Sequence, residues 1–329
     1  MHTFSDRDLE DLSLGAALLG SGGGGDVEYA LLLAKKHKNR TVVPLQYVED
    51  DALILPIAWM GAPLVSLEKL PTGDEFLEII NAAEKHFGRP VDYILPAEIG
   101  GSNALAPFSL EKDVPIIDGD TLGRAFPTVD SSSCALFGIK PSPAFISGGT
   151  GVTRIESNNT ADLEAICRKK TVEFGSNAAL GVFAHTGALA KQGAIISGTL
   201  SYAKHLGVHM CTAKTLANGT ILDIDQTIED GFLMGTFCVG NQDAVWTVHM
   251  QNEYLAVFQG KTPIAATPDI ISCLEEESKK PIPSEKLRIG ARVSIVTLPS
   301  PDIWKTKAGL KLTGPKRFDF PFSYEEVVS

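Results

Sequence analysis

The chain has 329 residues, 44% of them hydrophobic and 21% charged, with 29 Lys+Arg against 40 Asp+Glu. That length exceeds the roughly 250–300 residues of a usual single core, so two domains are expected. A formal net charge of −11 argues against a nucleic-acid partner, which needs a basic stripe, and against docking on anionic lipid.

The longest uncharged runs, 52–67 and 174–190, are interrupted by Pro or by Gly, Ser, Thr and Asn. Both fall short of the ~20 apolar residues that span a bilayer. The start, Met1 to Asp6, has neither a basic stretch nor an apolar one, so no secretory signal is expected. Five cysteines (134, 167, 211, 238, 273) are odd in number and never form a CxxC pair. That pattern suits reduced thiols and a cytoplasmic protein.

In chain order, Ser5 and Asp8 form a capping-box-like start to a helix carrying Leu9, Leu12, Leu14, Ala17 and Leu18. Asp26 should cap a second helix to about His37. Between them lies Gly20-Ser21-Gly22-Gly23-Gly24-Gly25. Strands are expected at 41–48 and 52–58, a helix at 74–87, and strands at 91–96 and 114–117. This βαβ alternation predicts an α/β domain with a helix-flanked, mostly parallel sheet. Asn159 should cap a helix to about Gly175. Residues 180–184 read as a strand and 198–217 as helical, with Gly207 a weak point. From about 218 short strands dominate (220–226, 232–239, 244–250, 254–258, 292–298), which predicts a β-rich C-terminal part. The expected division is 1–160 and 161–329.

Four features could carry chemistry. Gly22, Gly23, Gly24 and Gly25 could form a ligand-facing backbone cradle, because glycine permits φ > 0 and close approach. A nucleotide loop fits poorly, since a helix rather than a strand precedes it; a tight helix–helix connection is the plain alternative. Two strands end in carboxylates and glycines, at Glu98-Ile99-Gly100-Gly101-Ser102-Asn103 and at Asp118-Gly119-Asp120-Thr121-Leu122-Gly123-Arg124. Open α/β sheets bind ligands at such strand ends, so Glu98, Asn103, Asp118, Asp120 and Arg124 are expected in one cleft. Asp118 is expected to carry the main chemical role with Glu98 as its rival, while Asp120 could merely cap a helix. His185 closes a strand in the same way. Finally, Asn252 and Glu253 sit in a polar triplet between apolar flanks, beside His249. His205 and His209 lack the Glu of a zinc helix, and Cys134 has no nucleophile motif around it.

Taken together, Gly15 to Asp26, Gly61-Ala62-Pro63, Glu68-Lys69-Leu70-Pro71, the two strand-end motifs, Gly198-Thr199-Leu200, Gln251-Asn252-Glu253, Pro268-Asp269 and Gly314-Pro315 resemble the S-methyl-thiohydantoin desulfurase-like family over essentially the whole chain. Phe318-Asp319-Phe320-Pro321 departs from that family's usual pattern. The resemblance implies an N-terminal α/β domain, a C-terminal domain richer in β, and action on a hydantoin or S-alkyl-thiohydantoin ring. It also implies association with a hydantoinase/oxoprolinase-type protein, so a non-catalytic substrate-binding subunit or small-molecule-binding protein is the alternative. Hydrolysis at a ring carbon needs a base, charge stabilisation and an acid. Carboxylates with His185 could supply these, or a divalent metal such as zinc on Asp118, Asp120 and His185. A homo-oligomer is the expected assembly.

Overall fold

The computed structural model describes residues 2–37, 40–61, 74–209, 212–229 and 232–328. The segments Ala62-Pro63 and Glu68-Lys69-Leu70-Pro71, and Cys211, lie outside them. Two sheets organise the described residues. The first holds β1 (His2–Thr3), β2 (Thr41–Pro44), β3 (Leu53–Gly61), β4 (Tyr93–Pro96), β5 (Ile116–Asp120), β6 (Ala144–Ser147), β7 (Val152–Ile155) and β8 (Asn177–Gly181). Two short strands, β9 (His185–Thr186) and β10 (Ile196–Ser197), pair with β3 and β5. Its order is β1-β2-β5-β4-β3-β8-β6-β7. The central four, β2, β5, β4 and β3, are parallel, and antiparallel strands flank them. Every residue of β4 and β5 is buried, as expected of parallel strands covered on both faces.

Helices cover this sheet: α1 (Asp6–Leu19), α2 (Val27–Lys36), α3 (Asp74–Phe87), α4 (Ser133–Leu136), α5 (Thr160–Glu173), α6 (Gly187–Leu189) and α7 (Thr199–Val208). The expected caps form. Ser5 and Asp8 make a reciprocal capping box on α1, Asp26 caps α2, and Asn159 caps α5. In α3, Phe76, Ile79, Ile80 and Ala83 share one face and are fully buried. Gly207, a weak point by helix propensity, has a packing role: a Cβ there would collide with the Asp11 carbonyl, as one on Gly15 would with that of Ala203. These two glycines let α1 and α7 pack backbone to backbone.

The second sheet is antiparallel and curled, with seven strands: β11 (Lys214–Glu229), β12 (Phe232–Gly240), β13 (Val245–Gln251), β14 (Glu253–Gln259), β15 (Thr262–Ala266), β16 (Ile270–Glu275) and β17 (Arg292–Leu298). Its order is β15-β14-β13-β12-β11-β17-β16, and its inner face buries Phe237, Val248, Tyr254 and Ile295. Two short helices follow, α8 (Lys307–Thr313) and α9 (Glu325–Val328). The fold is therefore an α/β unit with parallel strands at its centre, followed by a β-rich unit.

Several local expectations shift. The helix expected over 198–217 ends at Val208, and Lys214–Ala217 already pairs with β17. The sheet that β17 completes overrides local propensity there. Residues 41–48 form a strand only to Pro44, then a single 3-10 turn over Leu45–Tyr47. The strand expected at 180–184 begins three residues earlier, at Asn177. Segments 161–209 supply β8 to the first sheet and α5 and α7 beside it, and the β-rich part begins at Lys214, close to the expected 218.

Candidate functional site

Adjacent parallel strands β3, β4 and β5 all point their carboxyl ends the same way, and a cavity of about 160 Å³ opens there. Its wall combines strand ends (Trp59, Glu98), the loop after β5 (Leu122, Phe126), α5 (Glu164, Arg168) and the turn between β13 and β14 (Asn252, Glu253). Both sheets thus contribute to one site.

Glu98 follows β4 and is half-buried, and its enclosed Oε1 has no hydrogen-bond partner. Burial holds its carboxyl well above the usual range, with the charges of Glu253 and Asp120 adding and Asn103 and Arg124 opposing. Glu253 is 3% exposed, and its Oε2 is also unpartnered. Burial pushes it up to about 8 against the attraction of Arg124. Its position comes from Asn252, a left-handed residue at φ 57° whose side-chain oxygen accepts the Leu233 N–H at 2.9 Å. The Asn252 N–H donates to the Leu233 carbonyl at 2.8 Å. The turn is therefore tied at two points to β12.

Asp120 and Asp118 both serve the framework around the cavity and neither lines it. No helix follows Asp120. Its Oδ2 accepts the N–H groups of Ile99, Leu122 and Gly123 at 2.8, 3.0 and 2.8 Å, fixing the two loops that hold Glu98 and Arg124. Burial raises it to about 7 despite these bonds. Asp118 instead accepts from the Ser201 N–H and hydroxyl at 3.1 and 2.6 Å, in the first turn of α7. Its carboxylate serves that helix start and does not line the cavity.

Arg124 is fully buried. It donates to the carbonyls of Ala125, Pro268 and Asp269 at 2.8, 3.0 and 2.6 Å and stacks over Phe126 at 4.7 Å. It joins the two units behind Glu253, and burial lowers it to about 10. Asn103 lines the cavity and accepts the Trp59 N–H at 2.7 Å.

The glycine loop is mostly consumed by packing. Ser21 exchanges hydrogen bonds with Ile271, the Gly22 carbonyl accepts from Ser284 at 2.7 Å, and the Gly24 carbonyl accepts from Ser102 at 2.8 Å. A Cβ on Gly23 would enter the Glu253 carboxyl, and one on Gly22 would meet the Tyr254 ring. Only Gly24 and Gly25 reach the cavity wall.

His185 is buried, with Nδ1 2.7 Å from the Phe183 carbonyl. It pairs with Ile54 at the start of β3 and stands behind the wall, touching the lining residue Phe183 without itself lining the cavity. Burial lowers its pKa. Asp118, Asp120 and His185 thus have separate partners and do not converge. No group of three or more His, Cys, Asp or Glu among the described residues could hold a metal ion. The side chains present do not fit the metal once expected on them. His205 and His209 are exposed and stacked on each other, His249 lies between Phe258 and Phe320, and Cys134 is buried against Ala194.

Sequence reasoning missed Glu164, Arg168 and Trp59. An i,i+4 acid–base pair on a helix reads as a surface ion pair, and nothing in its spacing marks it as cavity-facing.

No helix among the described residues is long and apolar enough to cross a membrane. No curated protein matches the chain. A crystal structure of a protein from Chromobacterium violaceum superposes with a TM-score of 0.83 at 22% identity, over 98% of each chain, and so shares the fold. The S-Me-THD-like N-terminal domain matches residues 7–157 and the S-Me-THD-like C-terminal domain matches residues 157–327. Glu98 lies in the first of these and Glu253 in the second, and the chain belongs to the S-Me-THD-like family.

Proposed function

We propose that the protein hydrolyses a five-membered hydantoin-like ring, with an S-alkyl-thiohydantoin as the leading substrate. The reading rests on one observation above all: the half-buried Glu98 and the buried Glu253 line one small cavity, and each keeps an enclosed oxygen without a partner. Buried polar groups are normally satisfied. Carboxyls held above their usual range are suited to proton transfer near neutral pH.

Glu253 takes a proton from water as the water oxygen bonds to the sp² ring carbon. Glu98 gives its proton to the ring nitrogen. On collapse the C–S bond breaks, Glu98 recovers the proton of the new hydroxyl, and Glu253 protonates the departing thiolate. The products are a hydantoin and a thiol, and both carboxyls return to their starting state. Trp59 and Phe126 offer flat apolar surface to the ring.

The test is turnover of an S-methyl-thiohydantoin by the purified, untagged chain, following thiol release with a trapping reagent and the hydantoin by chromatography. Release by wild type, lost in Glu98→Gln, supports the reading. Tight binding of the ring with no product, alone or with added divalent metal, would instead make the chain a substrate-binding subunit or a binding protein.

A further inference from the structure

The hydroxyl and amide side chains that line the cavity differ in where their donors go. The hydroxyls of Ser102 and Thr121 donate to the Gly24 and Ala97 carbonyls at 2.8 and 2.6 Å, and that of Thr128 donates to Asp130. The Ser132 oxygen accepts the Ala135 N–H at 3.2 Å, and Asn103 is divided between the Trp59 N–H and the Glu98 carboxyl. Asn252 is used differently. Its Oδ1 accepts the Leu233 N–H at 2.9 Å, which fixes Nδ2 as the other end of the amide. No hydrogen bond from the described residues occupies Nδ2, and it is not one of the enclosed atoms that lack a partner. Nδ2 is therefore an accessible donor on a residue of the cavity wall.

The turn holds that donor still. Asn252 sits at φ 57° between β13 and β14, and its backbone N–H returns to the Leu233 carbonyl at 2.8 Å. The preceding residue on β12, Phe232, lies under the Arg168 guanidinium at 4.3 Å, so α5 braces the same stretch from the first unit. A left-handed backbone suits Gly, Asn and Asp, and Asp offers the same oxygen to Leu233. The turn thus makes no use of Nδ2, which stands next in the chain to the proposed base, Glu253.

The ring chemistry has a use for it. Water addition at the carbon bearing sulfur pushes charge onto the ring nitrogen, and conjugation carries part of that charge to the carbonyl bonded to the nitrogen. A fixed, neutral donor at that oxygen binds more strongly as the charge arrives. We infer that Asn252 is a catalytic residue whose Nδ2–H donates to this ring carbonyl. The inference deepens the ring-hydrolase reading and rests on it for the ligand's identity. One turn of the second sheet then supplies both the base and the carbonyl donor, and the site selects rings with a carbonyl beside the reacting nitrogen.

The experiment compares wild type with Asn252→Asp and Asn252→Gly. Asn252→Asp keeps an oxygen for the Leu233 N–H and removes the donor. Asn252→Gly removes the side chain, adds no charge and suits the left-handed backbone. An effect shared by both is the loss of Nδ2–H. Calorimetry measures binding of hydantoin and of 2-imidazolidinone, which has a methylene in place of that carbonyl, and turnover of S-methyl-thiohydantoin is followed in parallel. Wild type should bind hydantoin about tenfold or more tightly than 2-imidazolidinone, and both variants should bring the ratio towards one. Both should also lower kcat by about a hundredfold, the usual worth of one donor to a developing oxyanion. A folded variant of either kind with the wild-type ratio or the wild-type kcat, or a wild type with a ratio near one, would overturn the role of Asn252 and leave the ring reading standing. Wild type that neither binds nor turns over any of these rings would overturn the ring reading together with it.

Discussion

Glu98 and Glu253 reach one cavity from opposite architectures. Glu98 stands at the carboxyl end of a buried parallel strand, where neighbouring strands end together and their loops diverge. Glu253 stands at a tight antiparallel turn, placed by the left-handed Asn252 and its bonds to Leu233. The first position follows from a general rule of parallel sheets, so any residue after β4 would be near the cleft. The second depends on the curl of another sheet and on how the two units meet. Arg124 secures that meeting by bonding to Pro268 and Asp269, on the loop between β15 and β16.

If the two carboxyls act as a pair, removing either should have the largest effect of any single change. Glu98→Gln and Glu253→Gln should each lower turnover of an S-methyl-thiohydantoin by about 10²–10⁴-fold, the usual worth of a placed acid or base. The pH profile separates their roles. Wild-type turnover should climb through about pH 8 as Glu253 ionises, a rise that Glu253→Gln should lose. A profile flat from pH 6 to 9 would remove Glu253 as the base.

The junction between the units should show next. Arg124→Met removes the only charge placed behind Glu253 from the loop after β5, and strands the carbonyls of Pro268 and Asp269. Breaking a buried charged network in this way costs about 3–5 kcal/mol, read as a lower denaturant midpoint. A loss under about 1 kcal/mol would show that the units hold together by apolar contact instead.

What was legible in the sequence divides along the same line. The caps at Ser5, Asp26 and Asn159, helix α3, and the neighbouring strands β4 and β5 follow from local chemistry and period. Strands β6, β7, β15 and β16 did not stand out, being short, four to six residues each. The glycine run was conspicuous, but its use was not. Close approach of Tyr254 and Glu253 to Gly22 and Gly23 comes from the second sheet, some 230 residues away in the chain. Asp118 and Asp120 were given the wrong parts because what faces each, α7 or the loop at Ile99, is tertiary.

Glu253 gives a stability test as well as a kinetic one. Its folded pKa is about 8 against an ordinary value of 4.5, so the folded state holds a proton that the unfolded chain releases. Stability from this group is complete below about pH 4.5 and is lost as pH rises towards 8. Asp120, raised from 3.8 to about 7, acts in the same direction over a lower window. Glu253→Gln removes one of these terms without changing side-chain volume. The variant should therefore gain on wild type by on the order of a few kcal/mol between pH 5 and pH 8. Melting temperatures of the two proteins that run in parallel across that range would show that Glu253 is not held protonated.

The smallest expected effect belongs to Asp118, and it bears most directly on how strand ends are read. Asp118 satisfies the strand-end rule as well as Glu98 does, since it lies in β5, the immediate neighbour of β4. Yet both its oxygens are taken by Ser201, at the N–H and the hydroxyl, in the first turn of α7. A carboxylate so placed satisfies an orphan donor and complements the helix dipole. In Asp118→Asn the side-chain oxygen can still accept the Ser201 N–H, while the charge and one acceptor are lost. The cost should be about 1 kcal/mol of stability, with turnover within a few-fold of wild type. Ser201→Ala should cost a similar amount, and the double variant less than the sum, because the two residues form one interaction. A hundredfold loss of turnover in Asp118→Asn, at unchanged melting temperature, would return Asp118 to the chemistry and make β5, not the β13–β14 turn, the partner of Glu98.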